Sequence, residues 1–185
     1  MSHLLERSSA ALLVIDVQER INAVMTDQSH IPRLEVLVEA CRALDVPIIG
    51  TEQYPKGLGP TVEPLAGLLA ETPAAKDTFS CARDNKIRET IASAGRAQVI
   101  VTGIETHVCV LQTALDLIDA GYRVHVPHDA VNSRRTTDKH WALQRMQQAG
   151  AAITTTESAL FELLERCDTD DFKTIAKLVK RLPVP

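Results

Sequence analysis

The sequence predicts an α/β protein, a mainly parallel sheet covered by helices on both faces in a three-layer α/β/α sandwich. Two patterns carry that prediction. Apolar runs of strand length alternate with segments of helical period from end to end. The connections are short, and strand–helix–strand units joined this way form parallel sheets with right-handed crossovers. Composition agrees: 185 residues, 45% hydrophobic and 24% charged, suit one domain with a sizeable core. No linker, repeat or low-complexity block divides the chain, so residues 1–185 read as a single domain.

Each element follows from its local pattern. ALLVID (11–16) is a continuous apolar run that stops at a carboxylate. PRLEVLVEACRALD (32–45) puts Leu34, Leu37, Val38, Cys41 and Leu44 on one helical stripe. VPIIGT (46–51) is strand-like, and EQYPKGLGP, with its Pro and Gly, reads as a loop. TVEPLAGLLAE is a weak helix and AAKDTF (74–79) a short strand. Residues 83–94 suggest a helix closed by Gly95. AQVIVTG (97–103) is the clearest buried strand, and THVCVLQTALDLIDAG (106–121) the clearest helix. YRVHVP (122–127), a helix near 136–149 and AAITTT (151–156) continue the alternation. Helices follow from about 157 to 182, broken at CDTDD. In the last of them Phe172, Ile175, Leu178 and Leu182 form a stripe that packs on the domain edge or in an oligomer interface.

Charge and composition exclude several function classes. A net charge of −4 argues against a nucleic-acid or anionic-membrane binder, and 3% aromatic residues argue against base stacking. No run approaches the roughly 20 apolar residues of a membrane helix, and MSHLLERSS lacks a signal-peptide stretch, so a cytoplasmic protein is expected. Four cysteines, Cys41, Cys81, Cys109 and Cys167, lie far apart, which disfavours a zinc knuckle or a disulfide framework.

In open parallel sheets the site lies beyond the carboxyl ends of the strands. That rule selects Asp16, Thr51–Tyr54, Lys76–Phe79, Gly103–Cys109 and His128–Asp129. Among these, Asp16, Lys76 and Cys109 form a working nucleophile set. A cysteine nucleophile needs a base for its proton and a positive charge beside it. Asp16 supplies the first and Lys76 the second. Cys109 falls in the first turn of the helix opened by Thr106, where unpaired N–H groups favour a thiolate. On this reading iodoacetamide labels Cys109 ahead of the other three cysteines. Backbone N–H groups of Glu105 and Cys109 are placed to receive an oxyanion. Gln53, Tyr54, Phe79, Thr106 and His107 are candidate substrate contacts.

LLVIDVQER, AAKDTFS and VIVTGIETHVCVLQTALD resemble the three signature segments of the isochorismatase-like (cysteine hydrolase) superfamily. That superfamily includes nicotinamidases, N-carbamoylsarcosine amidases and isochorismatases. The resemblance extends over essentially the whole chain, including DAVNSRRTTDKHWALQRMQQAGA. IETHVC, TEQYPKGLGPTV and the FELL segment look closest to the isochorismatase domain-containing subgroup. The resemblance implies a six-stranded, mainly parallel Rossmann-like sheet. It implies Asp16 as general base and acid, Lys76 as charge stabiliser and Cys109 as nucleophile, with a cis peptide at Ile104–Glu105. It also implies a homo-oligomer, a dimer, tetramer or larger. Two departures matter. Nicotinamidases carry an Asp-x-His metal motif where this chain has Thr51-Glu52-Gln53-Tyr54, so no metal and no cofactor is expected. Glu105 brings a carboxylate near the thiol, which raises its pKa unless the side chain turns away or pairs with a cation.

The expected function is hydrolysis of a C–N bond, amide or ureido-like, in a small metabolite through a thioester on Cys109. The alternatives are a non-catalytic metabolite-binding or scaffold member of the family, and an isochorismatase-type ether hydrolase.

Overall fold

The most apolar runs become the two central strands. Every residue of β1 (Ala10–Ile15) and of β4 (Gln98–Ile104) is buried. They pair in parallel from Ala10 opposite Gln98 to Ile15 opposite Gly103. A strand covered on both faces has no polar side to show, hence the unbroken runs. The computed structural model describes residues 3–69 and 71–183. Within them β2 (Ile48–Gln53), β3 (Ala74–Lys76), β5 (Arg123–Pro127) and β7 (Ala152–Thr154) complete the path β3-β2-β1-β4-β5-β7. A seventh strand, β6 (Val131–Asn132), pairs with the end of β4. The sheet therefore has seven strands and not the expected six. The additional one has two residues, too short to leave a period in the sequence.

Helices cover both faces, giving the three layers. Leu12 and Val14 of β1 face a core built with α2 (His30–Ala43), α8 (Thr156–Leu164) and α9 (Asp170–Val179). Leu13 and Ile15 face the opposite core, with α5 (Asn85–Ser93), α6 (Leu111–Asp119) and α7 (Thr136–Gln148). The stripe read on α2 is buried throughout, from Leu34 to Leu44. Ile175 and Leu178 of α9 are buried, and Phe172 and Leu182 pack beside them on the same core.

Local differences from the sequence reading have local causes. The loop expected at 52–60 contains a single turn, α3 (Pro55–Leu58), opened by Tyr54 in the left-handed region and by a proline at the first helical position. TVEPLAGLLAE keeps one turn, α4 (Glu63–Ala66); Ala70 of that segment lies outside the described residues. A further turn, α1 (Glu19–Asn22), follows β1. β3 stops at Lys76, three residues short of Phe79. The helix expected from 83 begins as a 3-10 turn at Cys81–Arg83, and α5 starts where the Asp84 side chain accepts from the Ile87 N–H at 3.1 Å.

From β1 the chain goes to β2 and β3 on one side, and later returns to β4 and β5 on the other. The crevice at that reversal lies outside the carboxyl ends of β1 and β4. Gly103 makes the close approach there. Its φ is +103°, and a Cβ on it would sit 2.1 Å from the Ile15 carbonyl oxygen. Gly103→Ala is expected to destabilise the protein by about 3 kcal/mol or more. Gly95→Ala, where φ is +65° and nothing lies within 4 Å, is expected to cost only about 1 kcal/mol. Urea unfolding of the two variants checks the difference.

Candidate active site

Asp16 is the first residue beyond β1 and adopts φ +52°, a left-handed conformation that Asp tolerates better than most residues. Its N–H donates to the Thr51 carbonyl at 3.1 Å, which fixes the turn against β2. Thr51 Oγ1 donates to Asp16 Oδ1 at 2.7 Å, and Lys76 Nζ donates to Oδ2 at 2.6 Å. Lys76 reaches across β2 because Gln53 stands opposite it in register. Its other ammonium hydrogens go to Gln53 Oε1 at 2.7 Å and the Phe79 carbonyl at 3.2 Å. The Lys76 side chain is 0% exposed and that of Asp16 3%. Burial is the largest single effect and works against the ammonium, but the charge and hydrogen bond of Asp16 together with the neighbouring Cys81 and Cys109 outweigh it, and the Lys76 pKa lies above the ordinary lysine value. The contribution of Lys76 protonation to stability is therefore complete below the unfolded lysine pKa and is lost as pH rises through the higher folded value.

Cys109 comes to the same place from β4. The Ile104–Glu105 peptide bond is cis, and the chain then makes a π-helical turn, Thr106–Val110, before α6. The wide turn is seen in the bond from Val110 N–H to the Glu105 carbonyl at 3.3 Å; such turns recur at functional sites. Cys109 is buried. Burial, and after it the negative charge of Asp16, push the thiol well above its ordinary value; the Lys76 ammonium opposes this without offsetting it. The resting group is a thiol, not the thiolate that the helix start suggests. Cys167 is the exposed cysteine. Simple alkylation is thus expected to favour Cys167, because the order read from the sequence ignored the carboxylate beside Cys109.

Asp16 and Cys109 open on a cavity of about 100 Å³ walled by Ile21, Leu58, Phe79, Ile104 and Val108. Ile21 is on α1, which a buried histidine anchors. His30 Nε2 lies 3.0 Å from Asn22 Oδ1, and Asn132 of β6 donates toward His30 Nδ1 at 3.2 Å. Asn22 and Asn132 also donate through their amide nitrogens to Gln28 Oε1 and the Asp27 carbonyl, so the network assigns His30 the neutral Nε2–H form. Burial agrees, pushing its pKa down to about 4.

The candidate contacts divide. Gln53 and Phe79 line the cavity, but the Gln53 amide is occupied: Oε1 accepts from Lys76 and Nε2 donates to the Asp77 carbonyl at 3.0 Å. Tyr54 lies away from it, 55% exposed beside a neighbouring hollow with Pro55 and Thr78. Its left-handed backbone turns it off the line of β2. His107 also points elsewhere, with Nδ1 3.0 Å from Ser133 Oγ and Nε2 3.9 Å from Asp138. Thr106 is fully buried behind the turn, its hydroxyl without a hydrogen-bond partner in the structure. The Glu105 carboxylate turns away from the thiol and accepts from Arg134 N at 3.1 Å and Nε at 3.0 Å. Glu52 ties a loop, accepting from Thr61 N and Oγ1, each at 2.7 Å. Among the described residues no cluster of His, Cys, Asp and Glu is arranged to hold a metal ion, and no helix is long and apolar enough to cross a membrane. The sequence reading placed Thr51 at a strand end without a role, and missed Gln18 and the walls Ile21 and Leu58. Thr51 and Gln18 sit beside the strand ends; only the pairing of β1 with β2 shows that they meet Asp16 and Gln53.

Residues 10–158 match the family model described as the isochorismatase domain. Isochorismatase domain-containing protein 2 of Danio rerio is 39% identical over 177 residues, covering 95% of this chain and 89% of the relative. A solved structure described as MAR1 ribonuclease from Caenorhabditis elegans superposes with a TM-score of 0.89 at 42% identity, covering 96% of this chain and 92% of that one. An octameric hydrolase of unknown specificity from Escherichia coli superposes with a TM-score of 0.92 at 26% identity, covering 98% and 91%. On the family match over most of its length and on these relatives, the chain belongs to the isochorismatase family, in the subgroup of isochorismatase domain-containing proteins.

Proposed function

We propose that the protein hydrolyses a C–N bond in a small metabolite through a covalent intermediate on Cys109. One observation carries this reading: a buried Asp16–Lys76 ion pair adjoins a thiol that opens on a small, partly open cavity. Asp16 accepts the thiol proton as Sγ attacks the substrate carbonyl. The N–H groups of Glu105 and Cys109 receive the oxyanion. The C–N bond breaks as Asp16 returns the proton to the leaving amine. Asp16 then takes a proton from water, the hydroxide displaces sulfur from the thioester, and the proton returns to Cys109. Lys76 keeps Asp16 in place and balances its charge throughout. The raised pKa of Cys109 fits this sequence, because the proton leaves in concert with attack and not beforehand.

The relative described as a ribonuclease gives less support for RNA as the substrate. The cavity is about 100 Å³, and among the described residues no basic side chain lines it. An RNA substrate needs cations for its phosphates. By the same reading the protein acts in the cytoplasm as a homo-oligomer; the octameric relative supports the assembly.

Cys109→Ala is expected to lower turnover of an amide substrate by about a thousandfold or more while leaving the unfolding midpoint nearly unchanged. Mass spectrometry of the quenched wild-type reaction is expected to show an acyl adduct on the Cys109 peptide alone. Turnover surviving in the variant removes the covalent route. The Lys76 and Cys109 pKa values both lie above their ordinary positions, so kcat/KM is expected to hold level on its alkaline side to about pH 9. A decline centred near pH 7 to 8 in the rate profile contradicts that assignment.

A further inference from the structure

We infer that the cavity selects a small, uncharged, aliphatic acyl group, and that it excludes carboxylate-bearing substrates. The inference rests on the hydrolase reading above and narrows it to a substrate class.

The polar groups at the cavity are already committed. Both Asp16 oxygens accept, from Thr51 and from Lys76. Lys76 spends its three hydrogens on Asp16, Gln53 and the Phe79 carbonyl. Gln53 is used at both ends of its amide. The Glu105 carboxylate faces Arg134. What remains for a ligand is the Cys109 thiol, the backbone, and walls of Ile21, Leu58, Phe79, Ile104 and Val108. Among the described residues no Lys, Arg or His lines the space, so a substrate anion would enter beside Asp16 with no cation to meet it. A charge held there without a partner is strongly disfavoured.

Volume sets the size. A cavity of about 150 Å³ holds benzene, whereas this one is about 100 Å³. By that proportion the fitting substrates have about four non-hydrogen atoms, the size of acetamide. Benzamide and nicotinamide exceed that. Phe79, 53% exposed, stands at the mouth.

Two alkylating probes of matched size separate charge from reactivity. 2-Chloroacetamide is neutral and chloroacetate anionic. In both cases Sγ displaces chloride and the thiol proton passes to a base. Each is incubated with the intact protein, and labelling of Cys109 and of exposed Cys167 is followed in the same sample by peptide mass spectrometry. The amide-over-acetate rate ratio at Cys109 is expected to exceed that at Cys167 by about tenfold or more. Phe79→Arg, which puts a cation at the mouth, is expected to shrink the excess at Cys109 and leave the ratio at Cys167 unchanged. Equal ratios at the two cysteines, or no labelling of Cys109 by chloroacetamide, overturn the inference. The parent reading is scored separately, by turnover of acetamide. Failure of turnover with the Cys109 excess intact removes amide hydrolysis and keeps the neutral-ligand assignment. Turnover with equal ratios does the reverse.

Discussion

The site depends on one buried ion pair. Lys76 and Asp16 have almost no exposure to water, and two opposite charges in that position hold only if each also satisfies the other's surroundings. Here they do. Lys76 has three acceptors, and Asp16 has a donor on each oxygen. Removing either partner strands the other at a cost of about 3–5 kcal/mol. The pair therefore ties the ends of β1, β2 and β3 together as well as presenting a carboxylate to the cavity. Packing does the rest: β1 and β4, buried on both faces, are held in a register that puts Asp16 beside the Ile104–Glu105 turn.

The pair also decides the state of the sulfur. A helix start favours a thiolate, and so does a lysine. Asp16 and burial act the other way and prevail at Cys109. The Glu105 carboxylate, the second negative group in the neighbourhood, is neutralised by Arg134 and directed outward, so, after burial, the thiol answers chiefly to Asp16. An arrangement of this kind keeps the proton on sulfur until a substrate carbonyl is in place. It suits a base whose charge is fixed by a permanent partner.

The sheet was legible in the sequence because its two central strands are buried throughout, with almost unbroken apolar runs, and glycines close α5, α6 and α7. β6 was not, since two residues carry no period. The turns α1 and α3 were not, because four residues held by tertiary contacts show no stripe. Asp16, Lys76 and Cys109 stood out by lying at strand ends and within recognisable segments, and the structure brings the three groups to one place. The contacts proposed around them were less legible. Tyr54 and His107 follow the right elements, yet their directions depend on a left-handed backbone and on a π-helical turn that no local pattern announces. The partners of Thr51 and Gln18 were hidden for another reason: they are more than 30 residues away, and only strand pairing joins them.

The central claim is that the charge of Asp16, pinned by Lys76, keeps the Cys109 thiol protonated. The direct measurement is a pH titration of the Cys109 β-carbon by NMR, with cysteine labelled in the wild type and in a folded Asp16→Asn variant. The account predicts that the wild-type signal stays that of a thiol through the neutral and mildly alkaline range, and that the variant titrates at distinctly lower pH, because burial then opposes Lys76 without the charge of Asp16. A wild-type thiolate already present near pH 7, or identical titration curves for the two proteins, would contradict it.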